Sequence, residues 1–118
     1  MKRTLTIFAI AVISTIAASA AEIEGYVVDV ACSADTVKGG QKAAMEHDKD
    51  CALMAPCIKS GYGVLTADNK FIRFDAVGSS KALAAIKATD KKDNLKVKVV
   101  GELEANGDSM TVTSISIL

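Results

Sequence analysis

The sequence is poor in aromatic residues and has no excess charge of either sign. Its 118 residues include two Tyr, three Phe and no Trp, and 14 Lys and Arg balance 14 Asp and Glu. Nucleic-acid-binding domains typically present a basic surface, and those that bind single strands add aromatic side chains that stack on the bases. The charge balance and the scarcity of aromatics therefore disfavour nucleic acid as a partner.

The common catalytic motifs are also absent. The single histidine leaves little material for a general acid and base pair, and the sequence has neither a Ser-His-Asp arrangement nor a phosphate-binding loop. The three cysteines form no Cys-x-x-Cys pair, which is the motif of thioredoxin-like enzymes. We therefore expect neither an ordinary hydrolase nor a thioredoxin-like catalyst.

The amino terminus has the layout of an export signal. Lys2 and Arg3 precede an uncharged apolar stretch over residues 5–16, and the small residues Ala18 and Ala20 match a cleavage site after Ala20. This stretch is shorter than the roughly 20 apolar residues that a membrane-spanning helix needs. We therefore expect a cleaved signal peptide and no membrane span after its cleavage.

Removal of residues 1–20 would leave a mature chain of 98 residues, 21–118, with 12 basic and 14 acidic side chains. We expect this chain to form one domain that is exported, either to the periplasm or as a secreted protein. Its core is modest for its length, so a disulfide or a metal ion would add to its stability. An oxidising compartment favours disulfides, and three cysteines leave one thiol unpaired or serve another purpose together.

Hydrophobic periodicity and turn residues predict five strands, at residues 23–32, 62–66, 71–75, 95–103 and 109–118. The second and third strands form a hairpin, and Asn106-Gly107 is a strong turn signal between the fourth and fifth. The fifth strand changes phase between Val112 and Ile115, which predicts a bulge near Thr113 or Ser114.

Residues 33–60 are rich in alanine, charge and methionine, which predicts a helical insert between the first two strands. Within it we expect a helix over residues 41–54 and a short turn over residues 56–60 that ends at Gly61.

A further helix over residues 81–88, capped by Ser79 or Ser80, separates the third strand from the fourth. Five strands with a helix in this position follow the element order of an OB-type barrel. The sequence therefore predicts a mainly β (α+β) domain, a small five-stranded OB-like barrel with a Cys/His-bearing insert between strands 1 and 2.

Every cysteine and the only histidine lie within 26 consecutive residues, at Cys32, His47, Cys51 and Cys57. His47 and Cys51 are four residues apart, which places them on one face of a helix. Pro56 breaks that helix, so Cys57 can turn back toward the same point. Three cysteines and one histidine form a ligand set that suits tetrahedral zinc.

Three neighbouring residues are candidates for extra ligands or for positioning the ligands. Met45 and Met54 flank the set, and thiolate with thioether ligands would favour Cu(I). Asp29, near the end of the first strand, could orient a ligand by hydrogen bonding or cap the insert.

Two hypotheses stay open at this point. In the first, the protein is a small exported metal-binding protein that holds zinc or copper through the cysteines and the histidine. In the second, two of the cysteines form a disulfide that stabilises the OB-like domain, and this domain binds a peptide, glycan or protein partner without catalysis. Sequence alone does not choose the disulfide pairing.

Residues 25–32 resemble the G-x-V-x-D-x-x-C opening of a group of small secreted bacterial proteins of unknown function. Those proteins also carry a later His, a pair of Cys and a Gly-x-x-Val-Leu strand start, which residues 61–65 match here. A V-x-V-x-G strand near their end is matched by residues 97–101. The resemblance implies an exported OB-like domain with a Cys/His cluster, and it implies no activity.

Overall fold

The computed structural model describes residues 20–118, so the predicted signal peptide lies, apart from Ala20, outside the described residues. The elements of this part, in chain order, are β1 (Ala21–Asp29), α1 (Val30–Glu46), α2 (Lys49–Ala52), α3 (Ala55–Ser60), β2 (Tyr62–Thr66), β3 (Phe71–Phe74), α4 (Ala76–Ala88), β4 (Lys96–Leu103) and β5 (Ser109–Ile117). Between residues 20 and 118, no helix is long and apolar enough to cross a membrane.

The five strands close into a barrel in the order β1-β2-β3-β5-β4. β1 pairs antiparallel with both β2 and β4, and a short parallel pairing of β3 with β5 closes the ring. α4 connects β3 to β4. This arrangement confirms the predicted small OB-like barrel with a helical insert between strands 1 and 2.

The main core fills the barrel and the space between the barrel and α4. Inward-facing strand residues alternate with outward-facing ones, as the pleat of a strand requires. The buried residues of this core are Val27, Ala52, Tyr62, Val64, Ile72, Phe74, Ala82, Ile86, Leu95, Val97, Val99, Met110 and Val112.

A second apolar cluster lies on the outside of the barrel, where α1 covers β1 and β2. Val28 and Leu65 point away from the barrel interior and are buried against Ala44 of α1. Both faces of β1 are therefore buried at this point, which explains why the strand carries two adjacent valines without a polar residue between them.

Two side-chain hydrogen bonds hold α1 against the barrel. Gln41 Nε2 donates to the carbonyl of Thr66 at the end of β2, at 2.8 Å. Asn69 Nδ2, in the β2–β3 turn, donates to the carbonyl of Val37, also at 2.8 Å. Both bonds lie at the same end of the hairpin, so they fix the helix to the β2–β3 edge.

The predicted end of the first strand is wrong. β1 ends at Asp29 and the insert begins at Val30, because the Asp29 side chain accepts a hydrogen bond from the backbone N–H of Cys32 and caps α1. Cys32 therefore lies in the first turn of a helix, whereas the prediction placed it on a strand.

The predicted helix over residues 41–54 is also wrong as a single element. α1 ends at Glu46, and Asp48 caps the separate helix α2 by accepting a hydrogen bond of 2.7 Å from the backbone N–H of Cys51. α1 itself is kinked at Gly40, whose φ is 74°. His47 and Cys51 consequently do not share one helix face.

The predicted start of α4 is wrong as well. The helix begins at Ala76 because Asp75 accepts a hydrogen bond of 2.9 Å from the backbone N–H of Gly78. Neither of the two predicted cap residues, Ser79 and Ser80, caps the helix, and Ser79 instead accepts a hydrogen bond from the backbone N–H of Tyr62 at 3.1 Å.

Two finer predictions are confirmed. Val100 pairs with Ser114 while Gly101 pairs with Val112, so Thr113 is the extra residue of a bulge in β5. The short helix α3 ends at Gly61, whose φ of 84° lies in the left-handed region that favours glycine.

Gly25 lies where β1 has partners on both sides, Thr66 of β2 and Val97 of β4. A Cβ atom at this position would overlap the carbonyl oxygen of Leu65. The missing side chain therefore lets the backbones of β1 and β2 approach closely where the barrel curves.

We expect Gly25→Ala to lower the free energy of unfolding by about 1–3 kcal/mol, because the added methyl group forces the two backbones apart. The exposed neighbour Glu24 gives a control, since Glu24→Ala should stay within about 0.5 kcal/mol of the parent protein. Urea unfolding followed by circular dichroism measures both, and equal effects of the two substitutions would contradict the close approach.

Candidate metal centre

The junction between β1 and α1 places a carboxylate beside a thiol. The Asp29 side chain is completely buried, and its Oδ2 accepts the hydrogen bond from the backbone N–H of Cys32 at 3.0 Å. Because this bond forms the N-terminal cap of α1, the position of Cys32 relative to the carboxylate is set by the geometry of the cap.

The short helix α3 brings a second thiol to the same place. Ser60 Oγ accepts a hydrogen bond from the backbone N–H of Ala31 at 3.1 Å and donates one to the carbonyl of Cys57 at 2.7 Å. The backbone N–H of Val30 also donates to the carbonyl of Gly61 at 2.9 Å. These bonds join the start of α1 to α3, so buried Cys57 lies next to Cys32.

One ligand atom from each of Asp29, Cys32 and Cys57 lies within 4.8 Å of the other two. A tetrahedral zinc ion, with bonds of about 2.0–2.3 Å, separates its ligand atoms by roughly 3.3–3.8 Å. The three ligand atoms would therefore have to approach one another by at most about 1.0–1.5 Å to bind one ion.

His47 lies at the other side of the carboxylate. It is the C-terminal cap residue of α1, its side chain is 9% exposed, and its Nε2 is 2.7 Å from Asp29 Oδ1. The two atoms are at ion-pair distance, yet neither makes a hydrogen bond of good geometry with any group in the described part of the chain. Buried polar atoms without such partners are rare and costly. Two of the three such side-chain atoms among residues 20–118 therefore meet at this centre.

The remaining candidate ligands lie outside this group. Cys51 is exposed on α2, and Met45 and Met54 are 42% and 55% exposed. The structure thus brings together two of the three cysteines with Asp29, places His47 against Asp29, and leaves Cys51 and both methionines apart. All three cysteines are free thiols, so no disulfide is present in the described residues.

The buried carboxylate also governs the protonation of both thiols. Burial and the negative charge of Asp29 raise the pKa of Cys32 to about 12 and raise the pKa of Cys57. Burial opposes ionisation of Asp29 itself, but the close approach of His47 and the proximity of the two thiols lower its pKa below the usual value. Both thiols are consequently protonated at neutral pH, and a metal ion has to displace their protons.

Tyr62 is the part of this region that sequence reasoning missed. Its buried hydroxyl donates a hydrogen bond of 2.5 Å to the carbonyl of Ala52, the last residue of α2. Burial and the charge of Asp29 raise the pKa of Tyr62 to about 12, so it remains a donor. The local sequence contains no signal for this contact, because it depends on how the insert folds back over the barrel.

A buried carboxylate, two adjacent thiols and a neighbouring imidazole are the groups that hold zinc and related divalent ions in proteins. Comparisons with protein-family models, with curated proteins and with solved structures found no significant match. The assignment of a function accordingly rests on the geometry of these four side chains.

We expect Tyr62→Phe to lower the free energy of unfolding by about 1–2 kcal/mol, because the buried carbonyl of Ala52 loses its donor. Tyr26→Phe is the matched control, since the Tyr26 side chain is half-buried and its hydroxyl has no hydrogen-bond partner among residues 20–118. Chemical denaturation measures the difference between the two variants, and a Tyr62 effect no larger than the Tyr26 effect would contradict the anchoring role.

Proposed function

We propose that the protein is a small exported zinc-binding protein whose centre consists of Asp29, Cys32 and Cys57. The observation that carries this proposal is that the buried carboxylate at the end of β1 and two thiols from different helices of the insert come within 4.8 Å of one another. Asp29 Oδ1 lies 2.7 Å from His47 Nε2 without a hydrogen bond of good geometry, and a metal ion bound there would give this buried oxygen a further partner.

The donor set favours zinc over copper. Cu(I) prefers thiolate and thioether ligands, but Met45 and Met54 are exposed and lie outside the group. The group instead combines two thiols with a carboxylate, which is a hard ligand that zinc accepts readily.

We assign His47 the role of holding Asp29 in place. Its imidazole is 2.7 Å from one carboxylate oxygen, while the Cys32 backbone N–H binds the other. Partners of this kind orient the groups that bind a metal, and their loss typically lowers metal affinity by about 10–100-fold.

The alternative function, partner binding through the barrel face, is supported less well. OB domains bind ligands on the face that includes their second and third strands. Here α1 packs against the outside of β1 and β2, and Phe71 of β3 packs at the edge of the same cluster. A peptide or glycan would have to displace a helix that buries Val28 and Leu65.

We expect the reduced protein to bind one zinc ion per chain, and Cys32→Ser or Cys57→Ser to weaken binding by more than about a hundredfold, because each removes a ligand. Titration against a chelator of known affinity, together with native mass spectrometry, measures stoichiometry and affinity.

Cys51→Ser is the matched control for this experiment, because Cys51 is a free thiol of the same insert that lies outside the group. It should leave the affinity unchanged. Circular dichroism checks that each variant is folded. Equal losses in all three serine variants would refute the assigned ligand set, and absence of stoichiometric zinc from the reduced parent protein would refute the function.

We expect His47→Ala to weaken zinc binding by about 10–100-fold, because the imidazole no longer orients the Asp29 carboxylate. The same chelator titration measures this effect. A loss as complete as that of Cys57→Ser would show that His47 binds the metal directly, and an unchanged affinity would show that it has no part in the centre.

A further inference from the structure

The three thiols differ in their exposure to solvent and in the ligand groups that lie near them. Cys57 is buried, Cys32 is partly exposed, and Cys51 is exposed. The sulfurs of Cys32 and Cys57 belong to the group within 4.8 Å, whereas Cys51 is outside it. Of the three disulfides that three cysteines allow, only one joins thiols that the fold already brings together in this group.

The Cys32 and Cys57 sulfurs lie within 4.8 Å of each other. A disulfide brings its sulfurs to about 2.05 Å, and rotation about the two Cα–Cβ bonds can supply much of the required approach. Cys32 and Cys57 each lie in the first turn of a helix, and hydrogen bonds through Ser60 and Gly61 already join these segments. The segments that carry the two thiols are therefore already held together by the fold.

We propose that Cys32 and Cys57 form a reversible disulfide, and that this disulfide and the metal ion exclude each other. The exclusion rests on the proposed zinc function, because a disulfide removes two of its three ligands. The pairing of the two cysteines does not rest on that function, since it follows from the positions of the thiols alone.

The oxidant that the chemistry requires is a small-molecule disulfide. Cys32, the more exposed of the pair, loses its proton, and its sulfur attacks one sulfur of the oxidant. The sulfur–sulfur bond of the oxidant breaks, and one small thiol leaves with a proton. A mixed disulfide then remains on Cys32.

Cys57 then completes the exchange. It loses its proton, its sulfur attacks the Cys32 sulfur, and the bond between Cys32 and the small molecule breaks. A second small thiol leaves with the second proton. In sum, two cysteine thiols are oxidised by two electrons, and one small disulfide is reduced to two thiols.

The pairing is tested by incubating the metal-free, reduced protein with glutathione disulfide, blocking remaining thiols, and mapping the linked peptides by mass spectrometry without reduction. We expect a peptide that joins Cys32 to Cys57, and the same linkage in the Cys51→Ser variant. In Cys57→Ser, we expect glutathione to remain attached to Cys32. Predominant linkage of Cys51 to either residue, or no linkage in Cys51→Ser, would overturn the proposal.

The exclusion is tested by repeating the oxidation with zinc bound and by titrating the oxidised protein with zinc. We expect bound zinc to slow disulfide formation at least tenfold, and the oxidised protein to regain zinc binding only after reduction. Oxidised protein that binds zinc as tightly as the reduced form would overturn the exclusion. Failure of the reduced protein to bind zinc would instead refute the proposed function and leave the peptide map as an independent result.

Discussion

The buried carboxylate of Asp29 is the interaction on which the insert depends. One of its oxygens caps α1, and the other lies against His47 at the far end of the same helix. Because α1 is kinked at Gly40, its two ends can meet at one side chain. A charge removed from water is costly unless it has partners, so the carboxylate constrains where α1 begins and where it ends.

The helical insert covers part of the outer surface of the barrel. An OB-type barrel ordinarily leaves the face of its second and third strands open, but here α1 buries Val28 and Leu65 on the adjoining outer surface. Burial of this second cluster links the helix to the strands, and Ser60 links α3 to the start of α1. The chemistry-bearing residues are consequently concentrated at the junction between barrel and insert.

Local patterns predicted much of the fold, and the failures share a physical cause. The bulge at Thr113 follows from a change of phase that any strand must accommodate. The predicted end of β1 is wrong because its valines favour a strand, whereas the hydrogen bond that Asp29 accepts starts a helix. The predicted helix over residues 41–54 is wrong as one element because the hydrogen bond that Asp48 accepts starts a separate helix. The spacing of His47 and Cys51 predicts one shared helix face only if the helix is continuous, and the break between α1 and α2 separates the two residues.

The sequence by itself determined the order of the elements, the class of the fold and the concentration of thiols and imidazole in one insert, because these follow from periodicity, turn residues and spacing. Only the tertiary structure decided which of these groups meet. Asp29 and Cys57 are far apart along the chain and come together through the packing of α3 on the start of α1. Such long-range contacts depend on how helices close on the barrel, which no local pattern encodes.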